Sequence, residues 1–317
     1  MEKILLFLTN STDATCDYLC KVADEKGVAY IRFDTDFKND EVKIRYNSQK
    51  NVELNLKGYS LSPEDVHCIW NRRPEKICAG NLGDTPFDEH YRDEWRHAID
   101  GFFKQVVPAK WVNHPCYNAL AISKIEQLHR AKQHLLKIPD SVVTQSYVDF
   151  KRFHDEHSGN VITKPISHGY ICDGNSVYNI YTNAVSIDKC SFENFSTCPN
   201  FFQQEIAKIS DIRINYIDGY IEATELVYSE DGRQRLDIRK NNMDGVSYRK
   251  IDLPNEIRNS LVLLIKSYRL RFAAIDMAIT DKNEWVFFEI NPNGQWAWMD
   301  ILGASNFHEH FLNKILQ

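Results

Sequence analysis

The sequence predicts an α/β protein that opens on a parallel sheet and closes on an antiparallel one. Three observations carry this. At the start, an apolar run at residues 3–9, a helical stretch at about 14–26 and a second apolar run at 28–33 form a strand–helix–strand unit. Such a connection joins parallel strands. Near the end, residues 272–280 and 285–291 are apolar, β-prone runs flanking the polar turn Asp281-Lys-Asn-Glu284, which is a hairpin signature. Finally, 317 residues, 43% apolar and 26% charged, have the size and make-up of a globular chain. A chain of this length divides into two or three compact units.

Taken in order, the first helix ends at Gly27, a natural C-cap. The loop before it, Asn10-Ser-Thr-Asp13, is not glycine-rich, which argues against a dinucleotide-binding turn. Residues 41–59 alternate loosely and read as a meander of short strands. Residues 66–70 form another strand, which runs into Asn71-Arg72-Arg73-Pro74. A long helix is expected over 87–107, then a strand and turn at 111–115 that close the first unit. Residues 118–136 read as one helix, 138–144 as a short strand, and 161–164 as a strand ending in Lys164. The turn Pro165-Ile-Ser-His-Gly169 follows, with a returning strand expected from 178–182. Strands at 201–206 and 208–217 lead to a turn at Asp218-Gly219 and a further strand at 220–226. An amphipathic helix at 254–270 starts on Pro254. It feeds the hairpin, and a last helix follows Trp298.

The net charge of −6 and a pI near 6.0 speak against a nucleic-acid binder. No apolar run approaches the roughly 18 residues that span a bilayer, so no membrane partner is expected. The eight cysteines contain no C-x-x-C and no zinc spacing, although Cys16 and Cys20 share a helix face. With no signal peptide at Met1-Glu-Lys3, buried reduced thiols and a cytoplasmic location are the expectation.

The chemistry concentrates in the hairpin. A two-residue loop at Lys282-Asn283 would set Asp276 opposite Glu289. Strict alternation would put Phe287, Glu289 and Asn291 on one face and Phe288 and Ile290 on the other. Directly opposed carboxylates lie roughly 5 Å apart and repel. Asp276, Glu289 and Asn291 together offer oxygen ligands to a hard cation, which suits Mg²⁺ on a nucleotide's phosphates. The alternative is an ordinary hairpin with wetted acids, but its apolar density leaves little wetted face, and unpaired carboxylates there are costly. Lys164 ends an apolar strand before a turn; loop amides and a lysine suit a triphosphate, but with only Gly169 and Gly174 as glycines the loop is a weak signal on its own. Arg72 and Arg73, at a strand end fixed by Pro74, could take a substrate carboxylate or form a solvated pair. Lys124 alone is one of several helix lysines. No Ser/His/Asp or Cys/His constellation announces a covalent nucleophile.

The pattern Asp276…Glu289-x-Asn291 resembles the metal-binding end of the ATP-grasp superfamily. The longer run Glu289-Ile-Asn-Pro-Asn-Gly-Gln-Trp296 resembles the ATP-grasp ligases that cyclise ribosomally made peptides, the microviridin or graspetide maturases. Trp70-Asn-Arg-Arg-Pro74 and Arg32-Phe-Asp-Thr-Asp36 extend the likeness to the first unit, and it runs through nearly the whole chain. The resemblance implies an ATP-grasp fold in three parts. These are an N-terminal parallel-sheet (pre-ATP-grasp) domain at 1–117, a central α/β subdomain at 118–200 and a C-terminal antiparallel-sheet subdomain at 201–317. It implies ATP and Mg²⁺ as cofactors, with Lys124 and Lys164 on the phosphates. Gln204, Glu205 and Ile206 would meet adenine, Asp211 the ribose, and Arg213 and Arg239 would be the catalytic arginines. Its partner would be a ribosomal precursor peptide with a leader and an acidic, Thr/Ser/Lys-containing core, and the enzyme a homodimer. The implied reaction phosphorylates an Asp or Glu side chain, and a Ser, Thr or Lys side chain closes an ester or amide crosslink. An ATP-grasp amino-acid or glutamate ligase acting on another protein or small molecule would share most of these motifs. A non-catalytic nucleotide-binding module would not need all three of Asp276, Glu289 and Asn291.

Overall fold

The computed structural model describes residues 4–37, 41–75, 82–167, 169–173, 176–187, 195–228, 236–237 and 243–317. The expected parallel unit comes first. Strand β1 (Ile4–Thr9) lies between β2 (Tyr30–Asp34) and β6 (Val66–Asn71), and β7 (Trp111–Val112) adds at the edge; all pairings are parallel. Helix α1 (Ala14–Glu25) makes the first crossover, started by Asp13, whose carboxylate accepts from the Thr15 and Cys16 amides. The meander is β3 (Val42–Asn47), β4 (Asn51–Leu56) and β5 (Tyr59–Leu61). With α2 (Pro86–Phe103) it covers one face of the parallel sheet through Phe33, Leu54, Ile69 and Phe102. A Thr85–Asp88 capping box and Pro86 fix the start of α2.

The single helix expected over 118–136 is two. Helix α3 (Pro115–Leu120) ends before Ser123, which caps α4 (Lys124–Gln133) by accepting from the Glu126 amide. Ser123-x-x-Glu126 is a capping signature inside an otherwise helical run. A four-stranded sheet follows, ordered β12 (Asn183–Ala184), β9 (Val161–Thr163), β13 (Asn200–Gln204), β8 (Ser141–Thr144). Helix α5 (Tyr147–Glu156), absent from the sequence reading, covers one face through Phe150, Phe153, Phe195 and Phe202. The returning strand expected at 178–182 falls elsewhere. Strand β11 (Ser176–Asn179) pairs with β10 (Tyr170–Asp173) as a separate hairpin, and β12 is the strand that returns to β9.

The largest sheet is antiparallel, ordered β16 (Ser247–Ile251), β15 (Tyr220–Val227), β14 (Lys208–Ile217), β17 (Phe272–Thr280), β18 (Trp285–Asn291). Its apolar face carries Ile212, Ile214, Ile275, Met277, Phe287 and Ile290. This face packs on α4 and on α6 (Asn255–Ser267) through Leu128, Ala131, Leu261, Leu264 and Ile265. Its other face is polar around Arg213 and Asp276, while at one end Ile217, Phe272 and Ala274 pack into the core of the first sheet. The C-terminal helices α7 (Ala297–Ile301) and α8 (Phe307–Leu316) return to the first sheet, where Trp296, Phe307 and Phe311 pack with Phe7, Leu19 and Trp70. Among the described residues no helix is long and apolar enough to cross a membrane.

Candidate active site

The hairpin loop is not the two residues expected. The Thr280 amide donates to the Glu284 carbonyl and Asn283 takes φ +58°, so three residues form the turn. That change alone would shift the register by one. A bulge at Phe288 restores it: Met277 pairs with Phe287, and Asp276 still pairs with Glu289. The bulge also corrects the faces. Phe287 joins Ile290 in the core, while Glu289 stands with Asp276 on the polar face. The pairing survives although the alternation behind it does not.

Register then extends the polar face across the sheet. Asp276 opposes Arg213, Arg213 opposes Thr224, and Thr224 opposes Lys250. One row therefore reads Glu289, Asp276, Arg213, Thr224, Lys250 from edge to edge. The adjacent row holds Asn291, Ala274, Asn215 and Glu222. Arg213 donates to Asp276 at 2.8 Å and to the Gln295 carbonyl at 2.7 Å. Its Nε is buried without a partner among the described residues. Asp276 keeps 38% of its side chain exposed, so it remains reachable beside Arg213. Among the described residues no three His, Cys, Asp or Glu side chains converge as a ligand cluster. The set here is two carboxylates and an amide, all oxygen donors, which fits a hard cation such as Mg²⁺.

The run after β18 fixes this arrangement. A Cβ on Gly294 would sit 2.3 Å from the Ala274 Cβ and 2.9 Å from Arg213 Nη2. Only glycine lets the turn close over the row. Gln295 offers its carbonyl to Arg213, and Trp296 is fully buried as the plug of the neighbouring core. The Gly294-Gln-Trp296 stretch thus aims Arg213.

Arg72 is buried. It lies 3.2 Å from Asp13, donates to the Asn293 carbonyl, and reaches the Thr15 hydroxyl at 3.4 Å. Burial pulls its pKa down to about 10, against the pull of Asp13. Expected as a substrate contact, it takes an internal carboxylate instead and ties the first sheet to the turn after β18. Arg73 next to it is exposed. Side-chain amides complete the tie. Asn113 donates to the Phe272 and Pro292 carbonyls and accepts from the Arg271 and Phe272 amides. Gln127 pairs with both backbone groups of Ile290.

The expected nucleotide residues fall into two groups. Lys124, first in α4, donates to the Pro165 carbonyl at 2.7 Å, which brings it to the segment that carries Lys164. The Lys164 ammonium lies 5.2 Å from the Phe201 ring centre. The amides of Gln204 and Glu205 are engaged by the Asp140 and Asn160 carbonyls, and Ile206 follows in the link to β14. Asp211 stands on the polar face and accepts Lys208 at 2.6 and 2.8 Å. Lys208 also lies 5.9 Å from the Phe288 ring, so the bulge of the hairpin and Asp211 adjoin. Arg239 lies outside the described residues, as do Arg235 and Lys240 of the same run.

One cluster was missed in the sequence. Glu222 is 4% exposed and accepts from Lys250 at 2.6 Å, Tyr220 at 2.9 Å and Ser305. Burial raises its pKa, but these three donors outweigh burial and hold the carboxyl below its ordinary value. Alternation in Tyr220-Ile-Glu222-Ala-Thr224 was the available signal, since it places Glu222 and Thr224 on one face.

Residues 3–117 match the family model of the MvdD pre-ATP-grasp domain. No curated protein sequence matches the chain. Among solved structures, a RiPP-associated ATP-grasp ligase from Chryseobacterium gregarium is 27% identical. Its TM-score is 0.84, covering 99% of this chain and 96% of that one. The macrocyclase MdnB from Microcystis aeruginosa is 26% identical with a TM-score of 0.77, covering 97% of each chain. The macrocyclase MdnC from the same organism, at 23% identity and TM-score 0.84 over 99% of both chains, shares the fold. The pre-ATP-grasp domain match, the sheet order and these likenesses agree: the chain is similar, over nearly its whole length, to RiPP-associated ATP-grasp ligases and macrocyclases, and it shares their fold.

Proposed function

We propose that this chain is an ADP-forming ligase that activates Asp or Glu side chains of a ribosomal precursor peptide and closes ester or amide crosslinks with Ser, Thr or Lys. The observation that carries the reading is the register of Glu289, Asp276 and Arg213 on the polar face of one sheet. Related proteins support the ligand classes. The Chryseobacterium ligase is in complex with ADP and a leader and core peptide, MdnC is bound with the precursor peptide MdnA, and PsnB is complexed with precursor, Mg and ADP.

In this reading Asp276, Glu289 and Asn291 hold Mg²⁺, which neutralises phosphate charge when bound. Lys124 and Lys164 hold the phosphates, the link at Gln204, Glu205 and Ile206 meets adenine, and Asp211 takes the ribose. The γ-phosphoryl passes to the substrate carboxylate, giving an acyl phosphate. Attack by a hydroxyl or amine then expels phosphate. Arg213, held on one side by Asp276 and on the other by the Gln295 carbonyl, presents a fixed cation to the charge that develops. Positioning and electrostatics suffice, so no covalent enzyme nucleophile is required. Residues 1–117, 118–200 and 201–317 would be the three working parts, and a homodimer the assembly.

The test is mass spectrometry of candidate precursor peptides incubated with the chain, Mg²⁺ and ATP, with nucleotide products followed in parallel. Each crosslink expels one water, so the peptide should lose about 18 Da per ring while ADP accumulates, because acyl phosphate formation transfers only the terminal phosphoryl. A mass gain, or AMP in place of ADP, overturns the reading.

A further inference from the structure

Lys250 is the cationic end of the row that begins at Glu289 and passes through Arg213. Its side chain is 62% exposed, yet its ammonium is fixed 2.6 Å from Glu222, whose own side chain is 1% exposed. Glu222 in turn cannot swing, because Tyr220 and Ser305 hold both of its oxygens. An exposed lysine is ordinarily a freely moving charge. This one is pinned over the polar face by a carboxylate that three donors keep ionised. Next to it Tyr248 packs edge-on against Trp298, with ring centres 5.9 Å apart, and forms an aromatic wall. Glu222 is a poor proton acceptor in this setting, so its part is to aim Lys250.

Resting on the ligase reading above, we propose that Lys250 is a specificity-determining residue that binds a second acidic side chain of the substrate while Arg213 attends the carboxylate being activated. The row sets the spacing. Arg213 and Lys250 are two strands apart, or about 10 Å at roughly 4.8 Å per strand. An extended peptide advances about 3.3 Å per residue with alternate side chains on one face, and Lys250 leans back toward Glu222 on β15, so the two carboxylates belong to same-face residues two positions apart. Arg249, the neighbouring cation, alternates to the other face and pairs with Glu225 at 2.5 Å. It takes no part in this contact and serves as the charge control.

The test uses short synthetic peptides in a Thr/Ala background, carrying either one Glu or two Glu two positions apart. Binding to the full chain is followed by fluorescence anisotropy in the presence of Mg²⁺ and ADP. A charge-assisted contact gives about tenfold or more in affinity. The wild-type protein should therefore prefer the two-Glu peptide by about that factor. Lys250→Gln should abolish the preference, while Lys250→Arg and Arg249→Gln should keep it. Equal affinity of the wild type for the two peptides, or a preference that survives in Lys250→Gln, overturns the assignment. ADP binding, measured by calorimetry in the same samples, separates the two levels. Normal ADP binding with no peptide discrimination defeats the Lys250 role alone, whereas absence of ADP binding defeats the ligase reading itself.

Discussion

Replacing Gly294 by alanine tests whether the turn after β18 aims Arg213. The added methyl would lie 2.3 Å from the Ala274 Cβ, 2.9 Å from Arg213 Nη2 and 3.4 Å from the Asn291 carbonyl oxygen. Carbon atoms in contact sit at about 3.5–4.0 Å, so the turn must retreat from the sheet by more than an ångström. Overpacking of this kind costs about 1–3 kcal/mol. Retreat also pulls the Gln295 carbonyl off Arg213, which then keeps Asp276 alone. The expected result is a lower urea midpoint at unchanged slope, together with reduced ATP-dependent turnover. Gly101→Ala is the control. It sits in α2 with nothing within 4 Å of its added methyl, so helix propensity makes it stabilising by up to about 1 kcal/mol. Adding Ala274→Gly to Gly294→Ala removes the carbon–carbon clash and should recover part of both losses; a double-mutant cycle reads that coupling. Wild-type stability and turnover in Gly294→Ala would refute the account.

Two further substitutions address the nucleotide end. Glu289→Gln or Asn291→Ala should abolish Mg²⁺-dependent ATP turnover while circular dichroism stays native, because both side chains stand on the polar face rather than in the core. Near-normal ATP consumption by either would remove it from the site. Lys164→Ala should weaken ATP binding in calorimetry by about ten- to a hundredfold, the worth of a charge-assisted phosphate contact of roughly 1.5–3 kcal/mol. Lys57→Ala, at an exposed turn of the meander, should not. Equal affinity of the two variants would refute the Lys164 assignment.

Much of the architecture was legible because its signals are local. Strand–helix–strand periodicity gave the parallel unit, and two apolar runs around a polar turn gave the hairpin. The misses have local causes too. The break at Ser123 was readable as a capping signature but was masked by the helical run around it. The bulge at Phe288 was not readable, because two-residue and three-residue loops are equally compatible with Asp281-Lys-Asn-Glu284. Two departures cancelled, a longer loop and an extra residue in β18, and Asp276 met Glu289 regardless. Arg72 shows a different limit. Adjacent arginines before a proline predict a carboxylate partner, but only the packing of β6 against α1 decides that the partner is Asp13.

The same tie explains why the first sheet matters to a site that lies on another. The ends of β17 and β18 are held from outside their own sheet. Asn113, 2% exposed, bonds four backbone groups around Phe272 and Pro292. Arg72 holds the Asn293 carbonyl, and Gln127 holds Ile290 from α4. Each buried amide, if removed, would leave backbone groups unpaired at about 1–3 kcal/mol apiece. The strands that present Asp276, Glu289 and Asn291 therefore cannot slide against each other without breaking contacts to the parallel unit. Opposed carboxylates repel, and the buried apolar face of the hairpin, with Ile275, Met277, Phe287 and Ile290, sets its register against that repulsion. Fixing the open end of the hairpin from outside its own sheet keeps Asp276 opposite Glu289, with Arg213 already paired to Asp276; in the proposed reading this is the arrangement that a cation would meet.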